Sequence, residues 1–162
     1  MIMARKYKDS SSLLQYVDSD SQKKKCIVDI HSKLIDEHYR GPRLFNDEVC
    51  LDLDKYEKLI HSKRQNPSVD FLVALENDWL LLVEAKLKVE SITSKLAKEI
   101  TEKYDKSRQL IRCDSYVHEI SCLPILLHDR NFHQNRRELM SYLKGNPVYV
   151  PMRVADFTEK YF

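Results

Sequence analysis

Two short apolar runs around a polar turn constrain this chain more than any other feature. Phe71-Leu72-Val73-Ala74-Leu75 and Trp79-Leu80-Leu81-Leu82-Val83 flank Glu76-Asn77-Asp78. Apolar runs of this length on either side of turn formers read as a β-hairpin. Neither run alternates with polar residues, so both faces of both strands need cover, and the hairpin belongs at the centre of a sheet. Folding the turn about Asn77 sets Leu75 against Trp79. Continuing that register outwards brings Asp70 opposite Glu84. Directly opposed side chains share a face with Cβ atoms roughly 4.5–5.5 Å apart. Lys86 lies two residues beyond Glu84 and emerges on the same face. A two-residue turn shifts the register by one but leaves all three groups near that end.

The remaining segments supply partners for this hairpin. Ile27, Ile30 and Leu34 recur at helical spacing and predict a helix over about 21–39, stopped by Gly41-Pro42. Loose alternation over 44–53 suggests a strand, and Tyr56, Leu59 and Ile60 mark a short helix in the polar stretch 54–66. Residues 91–112 predict a long helix with Ile92, Leu96, Ile100, Tyr104 and Ile111 inward. On that helix Lys95, Lys98, Lys103 and Lys106 are expected in solvent. Leu123–Leu127 reads as a strand, Asn135–Lys144 as a helix, and Val148–Val150 as a last short strand before a C-terminal turn. The Ser- and Asp-rich stretch 1–22 reads as a flexible leader, with Leu13, Tyr16 and Val17 able to anchor a helical turn; residues 23–162 form one domain. The order of helix, three strands, helix, strand, helix and strand implies an α/β fold. Its mixed central sheet is flanked by helices.

Composition narrows the chemistry. The 162 residues suit a single domain, and 43% hydrophobic content suits a globular one. Only 2 Gly occur, which excludes glycine-rich phosphate loops and dinucleotide fingerprints. The formal net charge of +2 demands no nucleic-acid partner by itself, although a local basic face still suits one. No apolar run approaches the roughly 18 residues that cross a bilayer. Four Cys without a CxxC pair, and no secretory leader at the start, read as reduced thiols of a cytoplasmic protein. Cys113, His118, Cys122 and His128 fit no common zinc spacing. Cys122 is expected in the core.

Asp70, Glu84 and Lys86 carry the chemistry. Two carboxylates at the end of apolar strands repel each other, and burial raises the cost. A divalent cation removes it, and Mg²⁺ prefers carboxylate oxygens. The Ala85 carbonyl offers one more oxygen. Such an ion activates water and polarises a phosphate oxygen. Lys86 stands where it can orient that water and stabilise developing negative charge.

These residues resemble a known family. Asp70, thirteen intervening residues and then Glu84-Ala85-Lys86 look like the D-x(n)-E-X-K signature of the PD-(D/E)XK nucleases. The signature's proline corresponds to Pro67, which is not adjacent to Asp70. Gln109 is followed at four residues by Cys113, a departure from the Gln-x-x-x-Tyr pair of the RecB-like branch. The resemblance implies a restriction-endonuclease-like αβββαβ core and Mg²⁺- or Mn²⁺-dependent hydrolysis of DNA, with RNA the less favoured substrate. It assigns Asp70 and Glu84 as metal ligands and Lys86 as the catalytic lysine. Many members add a glutamate from the first helix; Glu37 is the candidate, with Asp36 and Glu48 as alternatives. A homodimer or a larger complex suits so small a domain. The rival expectation is a non-enzymatic structural or regulatory subunit that keeps the fold.

Overall fold

Alternation along the strands divides the apolar residues between two cores. Leu72, Ala74, Leu80, Leu82 and Leu126 face one side. Phe71, Val73, Leu75, Leu81, Val83, Ile125 and Leu127 face the other. The computed structural model describes residues 5–111, 118–145 and 147–162. Its elements in chain order are α1 (Ser11–Val17), α2 (Ser21–Lys24), β1 (Ile27–Asp29), α3 (Ile30–Asp36), β2 (Val49–Asp52), α4 (Leu53–Ile60) and β3 (Phe71–Leu75), followed by β4 (Trp79–Ala85), α5 (Ser94–Ile111), β5 (Glu119–Ile120), β6 (Ile125–His128), α6 (Arg136–Leu143), β7 (Val150–Arg153) and α7 (Val154–Tyr161).

The sheet runs β1-β2-β3-β4-β6-β7, with β5 paired to β4 outside that path. β1, β2, β3 and β4 pair antiparallel in sequence, while β6 lies parallel to β4 and β7 parallel to β6. Residues of α1, α4, α5 and α6 pack on the first face, and residues of α3 and α7 on the second. The protein is therefore a mixed α/β fold whose central sheet is covered on both sides. The hairpin keeps the register read from sequence, with Leu75 against Trp79 and Phe71 against Val83. Asn77 and Asp78 both take φ of 60°, the left-handed conformation that short Asx side chains tolerate best after glycine.

Several expectations need correction. The single helix over 21–39 is interrupted by β1. Asp29 holds an extended backbone, and its carboxylate accepts from the Ser32 amide to start α3 afresh. Local capping and pairing with β2 thus override helical periodicity. Within the stretch expected as a flexible leader, α1 buries Leu13, Tyr16 and Val17 in the first core. Lys23 of α2 is also fully buried, its ammonium 3.1 Å from the Tyr16 hydroxyl. The C-terminal turn is a full helix, α7, with Phe157 buried. Cys122 is exposed, because it falls in the bend between β5 and β6 and not within a strand. Cys113 lies outside the described residues. No helix among those described is long and apolar enough to cross a membrane.

Candidate metal centre

One edge of the sheet collects the end of β2, the start of β3 and the ends of β4 and β6. Residue parity determines what gathers there. Asp70 continues the alternation of Leu72 and Ala74, and Glu84 continues that of Leu80 and Leu82. Both acids therefore belong to the face covered by α5. Asp70 is 5% exposed and Glu84 0%. The Asp70 carboxylate accepts a 2.6 Å hydrogen bond from the Ala85 amide, which ties the two hairpin strands together beyond their last ladder pair.

Glu84 is held by two ammonium groups. Lys86 lies 2.8 Å and Lys103 2.7 Å from its Oε1. Its Oε2 is buried and has no hydrogen-bond partner. A buried carboxylate oxygen left unsatisfied is costly, so this atom marks a place where a cation fits. Lys103 of α5 was expected in solvent; its ammonium turns inward because the Glu84 charge beneath it lies in a dry environment. Burial alone would lower the Lys103 pKa, but Glu84 and, more weakly, Asp70 and Asp54 raise it overall.

Three carboxylates close in from the other side. One oxygen each of Glu37, Asp54 and Asp70 lies within 4.8 Å of the others. Glu37 follows the last residue of α3, where its amide caps the helix against the Ile35 and Lys33 carbonyls. Asp54 sits in the first turn of α4, two residues after the Asp52 cap. Burial, then the charges of Glu84 and Glu37, push the Asp70 carboxyl well above the usual carboxylate range. Lys33 partly neutralises the group, with its ammonium 3.1 Å from Glu37 Oε1, 3.1 Å from Asp52 Oδ1 and 3.4 Å from Asp54 Oδ2.

The residues expected from sequence thus divide into two linked sets. Glu84 pairs with Lys86. Asp70 joins Glu37, and its carboxyl feels the charge of Glu84. Ala85 contributes its amide to Asp70. The alternatives Asp36 and Glu48 lie elsewhere: Asp36 is exposed, and Glu48 accepts from the Asn46 amide. Four participants were missed, namely Lys33, Asp52, Asp54 and Lys103. A sequence signal existed for Lys33, four residues before Glu37 on a helix. Asp52-Leu53-Asp54 also reads as a capping acid followed by a first-turn acid.

Two clefts flank the cluster. One, of about 490 Å³, is lined by Asp54, Lys58, Asn66 and Lys103 among others. The second, of about 400 Å³, includes His38, Arg40, Lys88 and Arg130. Its His38 follows Glu37 in the chain, and its Lys88 lies two residues past Lys86. The chain matches no known family model, no characterised protein and no solved structure.

Proposed function

We propose that the protein is a metal-dependent nuclease of the PD-(D/E)XK type that hydrolyses phosphodiester bonds, with DNA the favoured substrate. The observation that carries this reading is the buried, orphaned Glu84 Oε2 at the same end of the sheet as the Glu37, Asp54 and Asp70 carboxylates, with the Glu84 charge felt by Asp70. Setting aside α4 between β2 and β3 and the short β5 before β6, the order α3, β2, β3, β4, α5, β6 supports a restriction-endonuclease-like core, and β2, β3, β4 and β6 are neighbours across the sheet.

The donor set fits a hard divalent cation. Carboxylate oxygens are the preferred ligands of Mg²⁺ and Mn²⁺. Asp70, Glu84 and Glu37 would hold the ion, with Asp54 as a further donor. The Ala85 carbonyl is also suitable, because its amide points towards Asp70 and the two polar groups of one strand residue share a side. When bound, such an ion supplies Lewis-acid activation of water and of a phosphate oxygen.

The chain's own residues do the rest. Lys86, anchored on Glu84 and about one-fifth exposed, orients the attacking water and stabilises charge on the phosphate. Lys103, on the same carboxylate and on the wall of the larger cleft, presents a second cation to the phosphate. Lys58 on one side and Arg40, Lys88 and Arg130 on the other offer contacts to flanking phosphates. Hydrolysis then proceeds by direct attack of water, without a covalent intermediate on the protein.

The test is cleavage of linear, circular and branched DNA, and of RNA, in Mg²⁺ or Mn²⁺, with Lys86→Ala alongside. Cleavage that stops in EDTA and in the variant supports the proposal. Nucleic-acid binding that ignores metal, with no cleavage of any substrate, favours the non-enzymatic subunit instead.

A further inference from the structure

The acidic edge contains a cation of its own. Lys33 is 4% exposed, and its three ammonium protons face three carboxylates, those of Glu37, Asp52 and Asp54. A lysine ammonium has three donors, so this one is fully used. It is thus a fixed positive charge built into the ligand cluster.

We propose that Lys33 occupies the place of a second metal ion and limits this centre to a single divalent cation. The proposal rests on the metal-centre reading above and goes beyond it in stoichiometry. Charge balance leads to it. Five carboxylates converge here, from Glu37, Asp52, Asp54, Asp70 and Glu84, against the ammoniums of Lys33, Lys86 and Lys103. The deficit is two positive charges, which one divalent ion closes. A second ion would leave the partly buried cluster with an excess of two positive charges, as large as the original deficit.

Geometry agrees with the charge count. Asp52 Oδ1 is shared between Lys33 and the Lys55 amide, and Asp54 Oδ1 accepts from the Ser68 hydroxyl at 2.9 Å. The oxygens of Glu37, Asp52 and Asp54 that face Lys33 are therefore committed to it, which leaves the ion the other lone pairs of Glu37 and Asp54. The oxygens left for an ion lie towards Asp70 and Glu84.

The experiment is a Mn²⁺ titration of the full chain, read by electron paramagnetic resonance of free Mn²⁺ and by calorimetry. Three proteins are compared: wild type, Lys33→Gln, and Lys33→Gln with Asp52→Asn. Wild type is expected to bind one Mn²⁺ per chain. Lys33→Gln raises the deficit to three charges and frees the Glu37, Asp52 and Asp54 oxygens that face the ammonium, and is expected to admit a second ion in its place, with its folding in circular dichroism recovered by Mn²⁺ where it is lost in EDTA. The double variant leaves four carboxylates against two ammoniums, the original deficit, and is expected to return to one. Two ions on wild type would overturn the proposal while leaving the nuclease reading intact. So would a single ion on Lys33→Gln, or two on the double variant. No Mn²⁺ on wild type would instead overturn the metal-centre reading on which the proposal stands.

Discussion

Replacing Asp70 by Asn should stabilise the metal-free protein and destroy its response to metal. Asp70 is 5% exposed, and an oxygen of its carboxylate lies within 4.8 Å of oxygens of Glu37 and Asp54. Two like charges about 5 Å apart repel by roughly 3 kcal/mol at an effective dielectric of about 20. Lys103 returns part of this, leaving a net gain of about 2 kcal/mol on removing the Asp70 charge. The Asn side-chain oxygen can still accept from the Ala85 amide, so that hydrogen bond is kept. For a chain of this size the gain raises Tm by about 4–8 °C in EDTA. The sign with pH follows from the raised Asp70 pKa. Below the ordinary carboxylate range both folded and unfolded wild type carry the proton, and the advantage of Asn vanishes. As pH rises, the unfolded chain releases its proton first, so wild-type stability falls relative to the variant until the folded carboxyl also ionises. Glu84, Glu37, Asp54 and Lys103, whose charges bear on this group, are unchanged in the comparison. Excess Mg²⁺ reverses the ranking, because saturation at about 100-fold over Kd adds roughly 2.7 kcal/mol to wild type and nothing to the variant. Differential scanning fluorimetry across pH, with and without Mg²⁺, measures every part of this. A variant that melts lower than wild type in EDTA, or a wild type indifferent to Mg²⁺ and Mn²⁺, refutes the reasoning.

Other outcomes follow from the same edge. Lys86→Ala should lower the DNA cleavage rate by about 10²–10³-fold while leaving the fold intact, checked by single-turnover kinetics and circular dichroism. Lys103→Met strips one of two ammoniums from a fully buried carboxylate; with Lys86 retained, it should cost about 2 kcal/mol, read as a shifted urea midpoint in EDTA. Mn²⁺ affinity should rise with pH through the raised titration of Asp70, since ion and proton compete for that carboxylate, and calorimetry in buffers of different ionisation enthalpy should register the linked proton release. Asp54→Asn should weaken Mn²⁺ binding, whereas Asp36→Asn, on an exposed part of α3, should not.

The hairpin was legible because two apolar runs flank an Asn-Asp turn, and its register followed from folding three turn residues about Asn77, where a two-residue turn would have shifted it by one. Asp70, Glu84 and Lys86 inherit their common face from that register by parity alone. The long helix was legible because Ile100, Tyr104 and Ile111 recur at helical spacing. What the sequence concealed are choices settled by tertiary contact. The 21–39 segment has helical periodicity, yet Asp29 caps a new helix and Ile27–Asp29 joins the sheet edge. Lys103 looks like one of many solvated lysines on α5, and only the buried Glu84 below it singles it out. Asp54 and Lys33 come from separate elements, so no local spacing joins them to Asp70. Lys23 shows the same limit in the core: a lysine in a basic triplet reads as solvated, but Tyr16 and Tyr56 set their rings against its ammonium.

Diffraction from Mn²⁺-soaked crystals, recorded at the manganese absorption edge, tests the central claim most directly. One anomalous peak in contact with the carboxylates of Asp70 and Glu84, on the side of the free Glu84 oxygen, is the predicted result. A saturated crystal with no peak at this sheet edge, or with manganese bound only elsewhere on the surface, would contradict it.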